Sequence, residues 1–325
     1  MKRIPYPSAV DLANLPTPVD TLPRVSQAVG RELMIKRDDL SGVALSGNKV
    51  RKLEFLLADA LDGAVTGVVT CGGEQSNHAR ATAIAAARLG LGCHLLLRVA
   101  DPQQPPAISG NPLLATMAGA SIEWISAEQY QHRERLLAEA AEQRGYYAIA
   151  EGGSDAVGAW GYVRCAEELA AEFGDRPLTI VTACGSGGTV AGLIAGCRLL
   201  SLPYRIVGIC VCDDRATFQQ RISDILNQMA QRYDVDVATE PEGIEIWEDY
   251  VGLGYALSRD EELQEMLALA RSEGIVTDPV YSGKAWFGLL NELKRGRSLA
   301  SPIVFLHTGG IFGLFAKSEQ LRSLI

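Results

Sequence analysis

From Lys49 onward the apolar residues Leu53, Leu56, Leu57, Ala60 and Leu61 return every three or four positions, the spacing of one helix face. The pattern stops at Asp62-Gly63, a helix-ending pair. The next apolar run, Gly67-Val68-Val69-Thr70-Cys71, is short and β-branched, so it predicts a strand. Ser76 then stands as an N-cap before a second helix through Ala81, Ile84, Ala85 and Leu89 that stops at Gly90. Cys93 to Leu97 predicts the next buried strand. Strand, helix and strand at so short a period imply a crossover connection, and hence parallel pairing.

The alternation resumes after a surface loop at Asp101-Pro106, with a helix over Leu113 to Ala118 and a strand over Ile122 to Ile125. A longer polar helix is predicted from about Glu128 to Arg144, and Glu151-Gly152-Gly153-Ser154 breaks the pattern. Beyond it come a helix from about Ala156 to Phe173, a strand over Leu178 to Thr182, a glycine-rich turn, a helix through Leu193 to Leu200 and a strand over Tyr204 to Ile209. These begin a second parallel sheet. A last strand, Ile303 to Leu306, runs into His307-Thr308-Gly309-Gly310, a turn at the carboxyl end of a strand, where open α/β sheets hold their ligands. No internal repeat interrupts this order. The expected architecture is two α/β domains with a cleft between them.

A length of 325 residues exceeds what one hydrophobic core usually serves, which supports the two-domain reading. The net charge of −9 is spread along the chain and argues against nucleic acid or an anionic membrane surface as the main partner. Small anionic ligands stay compatible with local cationic pockets. The basic start, Met1 to Pro7, is broken by prolines before any apolar stretch of signal-peptide length develops, and no segment approaches a spanning helix. The seven cysteines have irregular spacing and no paired CxxC, so reduced, buried thiols in a cytoplasmic protein are expected. The four histidines, His78, His94, His132 and His307, lack any metal-binding spacing, and no metal site is expected.

Chemistry concentrates in three places. Lys49 follows Gly47-Asn48, poor helix residues that mark a helix start, where an amine can project into a cleft. The positive end of the helix would help keep that amine partly neutral, as imine formation requires. The competing reading makes Lys49, Arg51 and Lys52 one solvated helix face. The second place is the turn Gly72-Gly73-Glu74-Gln75-Ser76-Asn77-His78, rich in hydrogen-bonding side chains. Here Ser76 is a cap by default and a ligand for a substrate carboxylate if the cleft is real, while His78 reads as a structural hydrogen-bonding residue rather than a base. The third is Gly185-Ser186-Gly187-Gly188-Thr189, between a strand and a helix, whose backbone N–H groups and helix dipole suit a phosphate. A bare turn is the alternative. Val190 occupies the third glycine position of GxGxxG and GxxxxGK[ST] is absent, which weighs against dinucleotide and ATP readings. Tyr255 and Tyr281, beside glycine-marked turns, read singly as packing residues. An amine, a polar ring contact and a phosphate cup are together what pyridoxal phosphate requires.

Taken in order, eight segments resemble the fold-type II pyridoxal-phosphate enzymes, and within them the group of D-cysteine desulfhydrase and 1-aminocyclopropane-1-carboxylate deaminase. They are Pro16-Thr17-Pro18, Ile35-Lys36-Arg37-Asp38-Asp39, Ser46-Gly47-Asn48-Lys49 with Arg51-Lys52-Leu53-Glu54, Gln75-Ser76-Asn77-His78, Gly152-Gly153-Ser154 with Gly158 and Gly161-Tyr162, Gly185-Ser186-Gly187-Gly188-Thr189, Asp278-Pro279-Val280-Tyr281 with Gly283-Lys284, and His307-Thr308-Gly309-Gly310. The resemblance implies a tryptophan synthase β-like fold. Each domain is then an open, mostly parallel twisted sheet flanked by helices, one over 53–160 and a larger one from 1–52 plus 161–325, with the cofactor in the interdomain cleft. It implies Lys49 as the Schiff-base lysine and Asn77 on the cofactor's phenolic oxygen. Gly185, Ser186, Gly187, Gly188 and Thr189 would form the phosphate cup, and Thr308 and Ser282 would complete the cofactor contacts. Gln75, Ser76 and Asn77 would meet the substrate carboxylate. Tyr255 and Tyr281 would face the substrate, joining Lys49 and Ser76 as catalytic candidates, and a homodimer is implied.

Two positions discriminate within the group. Ser282 stands where the cyclopropane deaminases carry a glutamate against the pyridine nitrogen. A hydroxyl leaves that nitrogen essentially neutral and the ring a weaker electron sink, which suffices for eliminating a good leaving group but not for opening a ring. The expected activity is therefore α,β-elimination on a cysteine-like amino acid, D-cysteine desulfhydration to pyruvate, ammonia and hydrogen sulfide. L-cysteate sulfo-lyase, cyclopropane deaminase and β-replacing synthase are the enzymatic alternatives, an NAD-binding oxidoreductase and an inert cofactor-binding homologue the wider ones. The second position is Glu74: if it points into the cleft, it would repel an anionic side chain.

Overall fold

A computed structural model describes residues 4–325; residues 1–3, the first part of the basic start, lie outside it. Ten strands form two sheets: β1 (Val19–Thr21), β2 (Leu33–Arg37), β3 (Gly67–Gly73), β4 (Gly92–Arg98), β5 (Ser121–Ile125), β6 (Tyr147–Ala148), β7 (Leu178–Cys184), β8 (Tyr204–Cys210), β9 (Ile246–Trp247) and β10 (Ile303–His307). Four of them pair in the order β5-β4-β3-β6, all parallel. The other six run β1-β2-β10-β7-β8-β9, parallel except for β1, which pairs antiparallel with β2. The α/β architecture with two mostly parallel sheets is as the periodicity predicts. β7 is buried throughout and β3 as far as Gly72, threonines included, because helices cover both faces of each sheet.

The helix predicted from Lys49 spans Asn48–Asp62, and Ser76 caps the helix Asn77–Arg88 by accepting from the Ala79 amide at 3.1 Å. Two boundaries differ from the sequence reading. The polar stretch forms two helices, Ala127–Gln131 and Arg133–Arg144, because His132 leaves helical geometry at ψ 24°. The helix assigned from Ala156 starts at Trp160. Before it, the Asp155 carboxylate accepts from the amides of Val157 and Gly158 at 2.9 and 2.7 Å, fixing a turn instead. Arg51 and Lys52 overturn the solvated-face reading, since both are fully buried. Arg51 meets Asp38 at 2.8 Å and Glu168 at 2.7 Å, and Lys36 joins Glu168 at 2.7 Å, so an ion network lies inside the protein beside the start of this helix.

All seven cysteines are free and six are buried. Among the described residues no helix is long and apolar enough to cross a membrane, and no group of three or more His, Cys, Asp or Glu converges as metal ligands.

Candidate active site

The carboxyl ends of β3, β7 and β10 open onto one cleft, where the two sheets face each other. Lys49 lines it together with Ser76, Asn77, the 185–187 turn, Thr189, Tyr255, Tyr281 and Thr308. The start of the lysine's helix is held by the turn after β10: the Asn48 amide donates to the Thr308 carbonyl at 3.1 Å. Gly47, at φ 90°, approaches so closely that an added Cβ would lie 2.8 Å from that carbonyl. Burial pushes the Lys49 amine down to about 8, with the charge of Glu151 resisting. Desolvation, more than the helix dipole invoked from sequence, is what makes this amine available as a nucleophile and base.

The phosphate cup follows from the sharp exit of β7. Gly187 takes φ 87° and the helix Gly188–Leu200 begins directly after it. Ser154 and Ser186 join hydroxyls at 2.7 Å, and the Gly188 amide donates to Ser154 at 3.3 Å. Asn48 donates to the Thr189 hydroxyl at 3.2 Å, tying the lysine's helix to the cup. The sequence reading missed Lys52. One turn beyond Lys49, its amine reaches Ser154 at 3.0 Å and the Gly152 carbonyl at 3.2 Å, and a Cβ on Gly188 would sit 2.8 Å from it. Burial and the neighbouring Lys49 push the Lys52 amine far below its ordinary value. The amines of half-buried Lys49 and buried Lys52, beside a helix N-terminus with hydroxyls and backbone N–H groups around them, form a donor set suited to an anion, and the phosphate and aldehyde of pyridoxal phosphate fit it. Lys52→Met is expected to weaken cofactor affinity by roughly 10- to 100-fold, the loss of one charged hydrogen bond. Equilibrium titration of the apoprotein checks this, and unchanged affinity would remove Lys52 from the cup.

On the opposite wall, the Asn77 side-chain oxygen accepts from Asn111 at 3.1 Å. Asn111 is itself held by Arg80 at 2.9 Å, which turns the Asn77 amide donor toward the cleft. Ser76 is buried and serves as the predicted cap. Tyr255 and Tyr281 join hydroxyls at 2.7 Å with their rings near right angles. Burial raises both phenols, the opposite of what a resting base requires. They stand as neutral O–H groups. His78 also lines the cleft: its Nε2 lies 2.9 Å from the Thr70 hydroxyl, which donates to the Ile149 carbonyl, its buried Nδ1 has no partner among the described residues, and burial pushes the ring well below its ordinary value.

Four of the sequence-selected residues lie outside the lining. Gln75 points to the start of the helix Gly110–Met117, accepting from the Asn111 amide at 3.0 Å. Gly188 backs the cup, its flank filled by Ser154 and Lys52. Ser282 is fully buried and committed to Asp278, donating at 2.5 Å and accepting from the Asp278 amide at 3.0 Å, so its hydroxyl is not free to face a ring nitrogen. Glu74 accepts from the Gln75 side chain at 3.2 Å, and the idea that it repels anions in the cleft finds no support. The lining carboxylate is Glu151, which in sequence marks only a break.

A buried amine beside a glycine-built anion cup, at the strand ends of two parallel sheets, defines an enzyme that holds an aldehyde cofactor by its lysine and its phosphate. The family described as pyridoxal-phosphate dependent enzyme matches residues 10–309, and the chain belongs to it. The chain is 40% identical over 99% of its length, and 83% of the relative's, to a bifunctional D-cysteine desulfhydrase/1-aminocyclopropane-1-carboxylate deaminase of Arabidopsis thaliana. It is 40% identical to the D-cysteine desulfhydrase of Yersinia enterocolitica, over 96% of both chains. Among solved structures, an ACC deaminase homologue superposes with a TM-score of 0.88 at 36% identity, covering 99% of this chain and 97% of that one. Maize serine racemase shares the fold, with a TM-score of 0.65 at 17% identity over 95% of this chain and 93% of that one.

Proposed function

We propose that this enzyme eliminates the β-substituent of a cysteine-like amino acid, converting D-cysteine and water to pyruvate, ammonia and hydrogen sulfide. The observation that carries the reading is Lys49, an amine lowered to about 8, set between the 185–189 cup and the pair of neutral tyrosines. When bound, the cofactor supplies an electron sink that acidifies the α-carbon of an attached amino acid. Lys49, which lines the same cleft as the cup, would take the α-proton. Ser76 and Asn77 receive the substrate carboxylate at the helix N-terminus, with Gln75 bracing that turn from behind. Tyr255 or Tyr281, both protonated, donates to the departing sulfur. Gly185 to Thr189 with Lys52 would hold the phosphate, Asn77 would meet the phenolic oxygen, and Thr308 would add a further contact to the cofactor.

The relatives named as cyclopropane deaminases make ring opening the second reading. Desulfhydration is preferred because no carboxylate stands at position 282 and the serine there is already engaged. Product assay separates the two: D-cysteine yields pyruvate and sulfide, whereas ring opening of the cyclopropane substrate yields 2-oxobutanoate without sulfide. Oxobutanoate alone would sink the desulfhydrase assignment. This reading includes a division into 53–160 and the remainder, a homodimeric assembly and a cytoplasmic site of action.

The amine also sets a pH dependence. Attack on the cofactor aldehyde needs neutral Lys49, so the rate at which apoprotein captures pyridoxal phosphate rises with pH and levels off above about 8. Stopped-flow absorbance reads it, and a rate still climbing toward the ordinary lysine value would show the amine to be solvated.

A further inference from the structure

Glu151 sits in the 3-10 turn Glu151–Gly153, directly before the glycine whose added Cβ would lie 3.2 Å from the Lys49 amine and 2.5 Å from the Ser186 hydroxyl. Its carboxylate lines the cleft. Both oxygens are held: the Tyr130 hydroxyl donates to one at 2.5 Å, and Arg133 meets the other at 2.9 Å. Tyr130 in turn lies under Arg98, which also stacks 5.4 Å from the Tyr255 ring. The carboxylate is therefore held at two points, on a residue that lines the same cleft as Lys49, Tyr255 and Tyr281. Arg133 and Arg98 are not among the residues that line the cleft, so Glu151 is the acidic side chain of the lining. That charge acts on Lys49 and, together with Arg98, on Tyr255, two of the groups that would meet a substrate. A clamped carboxylate adjoining a reacting centre costs more to any ligand that brings a second anion than it gives to a neutral one.

We propose that Glu151 determines specificity by excluding amino acids whose β-substituent is anionic, such as a sulfonate or carboxylate, and admitting those whose β-substituent is neutral or cationic, such as a thiol, chloride or ammonium. The proposal rests on the elimination reading for which amino acids are turned over, but the carboxylate acts on binding whether or not elimination follows. It removes cysteate from the substrates of this enzyme and places 2,3-diaminopropionate, whose side-chain ammonium leaves as ammonia, among those accepted.

The test uses holoenzyme, the parent and Glu151→Gln side by side, with both enantiomers of each ligand. Calorimetric titration with alanine and aspartate reads binding without a leaving group, and pyruvate release from β-chloroalanine, 2,3-diaminopropionate and cysteate reads turnover. In Glu151→Gln the ratio of aspartate to alanine affinity is expected to rise by roughly 10-fold or more, as is kcat/KM for cysteate relative to β-chloroalanine, from removing one like charge near the site. Glu151→Asp keeps the charge and holds both ratios within about threefold of the parent. If Glu151→Gln does not fold, Glu151→Ala replaces it with the same expectation. An unmoved affinity ratio in the neutral variant, or an equal rise in Glu151→Asp, overturns the proposal. Pyruvate from no substrate, with the affinity ratio shifted, overturns the elimination reading and leaves Glu151 as the anion filter.

Discussion

Lys49→Ala abolishes turnover of D-cysteine and, with it, the visible absorbance band of the covalently held cofactor. Two losses combine in this substitution. The tether to the aldehyde disappears, and so does the base for the α-proton, a role that alone contributes about 10²–10⁴-fold to rate. The substitution leaves the proposed cup of Gly185 to Thr189 with Lys52 untouched, so pyridoxal phosphate is expected to bind the variant still, more weakly and without the covalent tether. Side-by-side spectra of parent and variant, titrated with D- and L-cysteine, decide the matter. Sulfide from the parent with one enantiomer and none from the variant is the anticipated pattern. Retained turnover in Lys49→Ala would leave the proposed chemistry without its base.

The second large effect falls on stability. Asp38 has no exposed surface and accepts from Thr17 at 2.8 Å, Arg51 at 2.8 and 2.9 Å and Tyr162 at 2.6 Å. Burial opposes its ionisation, yet Arg51 and these donors hold the carboxyl below its ordinary range. Asp38→Ala removes this one counter-charge and leaves Arg51 to Glu168, with Lys36 competing for the same partner. Breaking one member of such a buried set costs about 3–5 kcal/mol. Urea denaturation of apoprotein measures it, and a loss below about 1 kcal/mol would mean that Glu168 alone compensates. Because Arg51 lies two residues beyond Lys49 on the same helix, weaker cofactor retention should accompany the lost stability.

What the sequence made legible follows from the range of the forces involved. The helix from Asn48, the Ser76 cap and the strands β3 and β4 are specified by neighbours within a few residues, and periodicity displays them. β2 escapes because Lys36 and Arg37 spoil its apolar run, although Lys36 is buried against Glu168, 132 residues away. Arg51 and Lys52 look solvated for the same reason: their partners Glu168 and Ser154 arrive through the fold. The helix Arg215–Tyr233 carries its signal openly in Phe218, Ile222, Ile225, Leu226 and Met229. Of the site, the lysine, the cup and the tyrosine pair are readable from glycine placement and family resemblance. Glu151 is not, since nothing local distinguishes a lining carboxylate from one in an ordinary turn. The direction of the tyrosine shifts was equally hidden, because burial sets it.

The position of β10 between β2 and β7 has a consequence for biosynthesis. A strand encoded near residue 303 occupies the middle of a sheet whose edge was translated some 280 residues earlier. While the nascent chain is still elongating, the β1–β2 pair has no strand to join it to the rest of its sheet, and the turn that anchors the start of the lysine's helix has yet to leave the ribosome. The four-stranded sheet, complete by residue 148, can assemble during translation, whereas the six-stranded one closes only once residues 303–307 have emerged. A stop codon shortly before residue 303 would therefore remove the centre of the larger sheet, and such a truncated product should go to proteolysis instead of persisting as a slightly shorter enzyme.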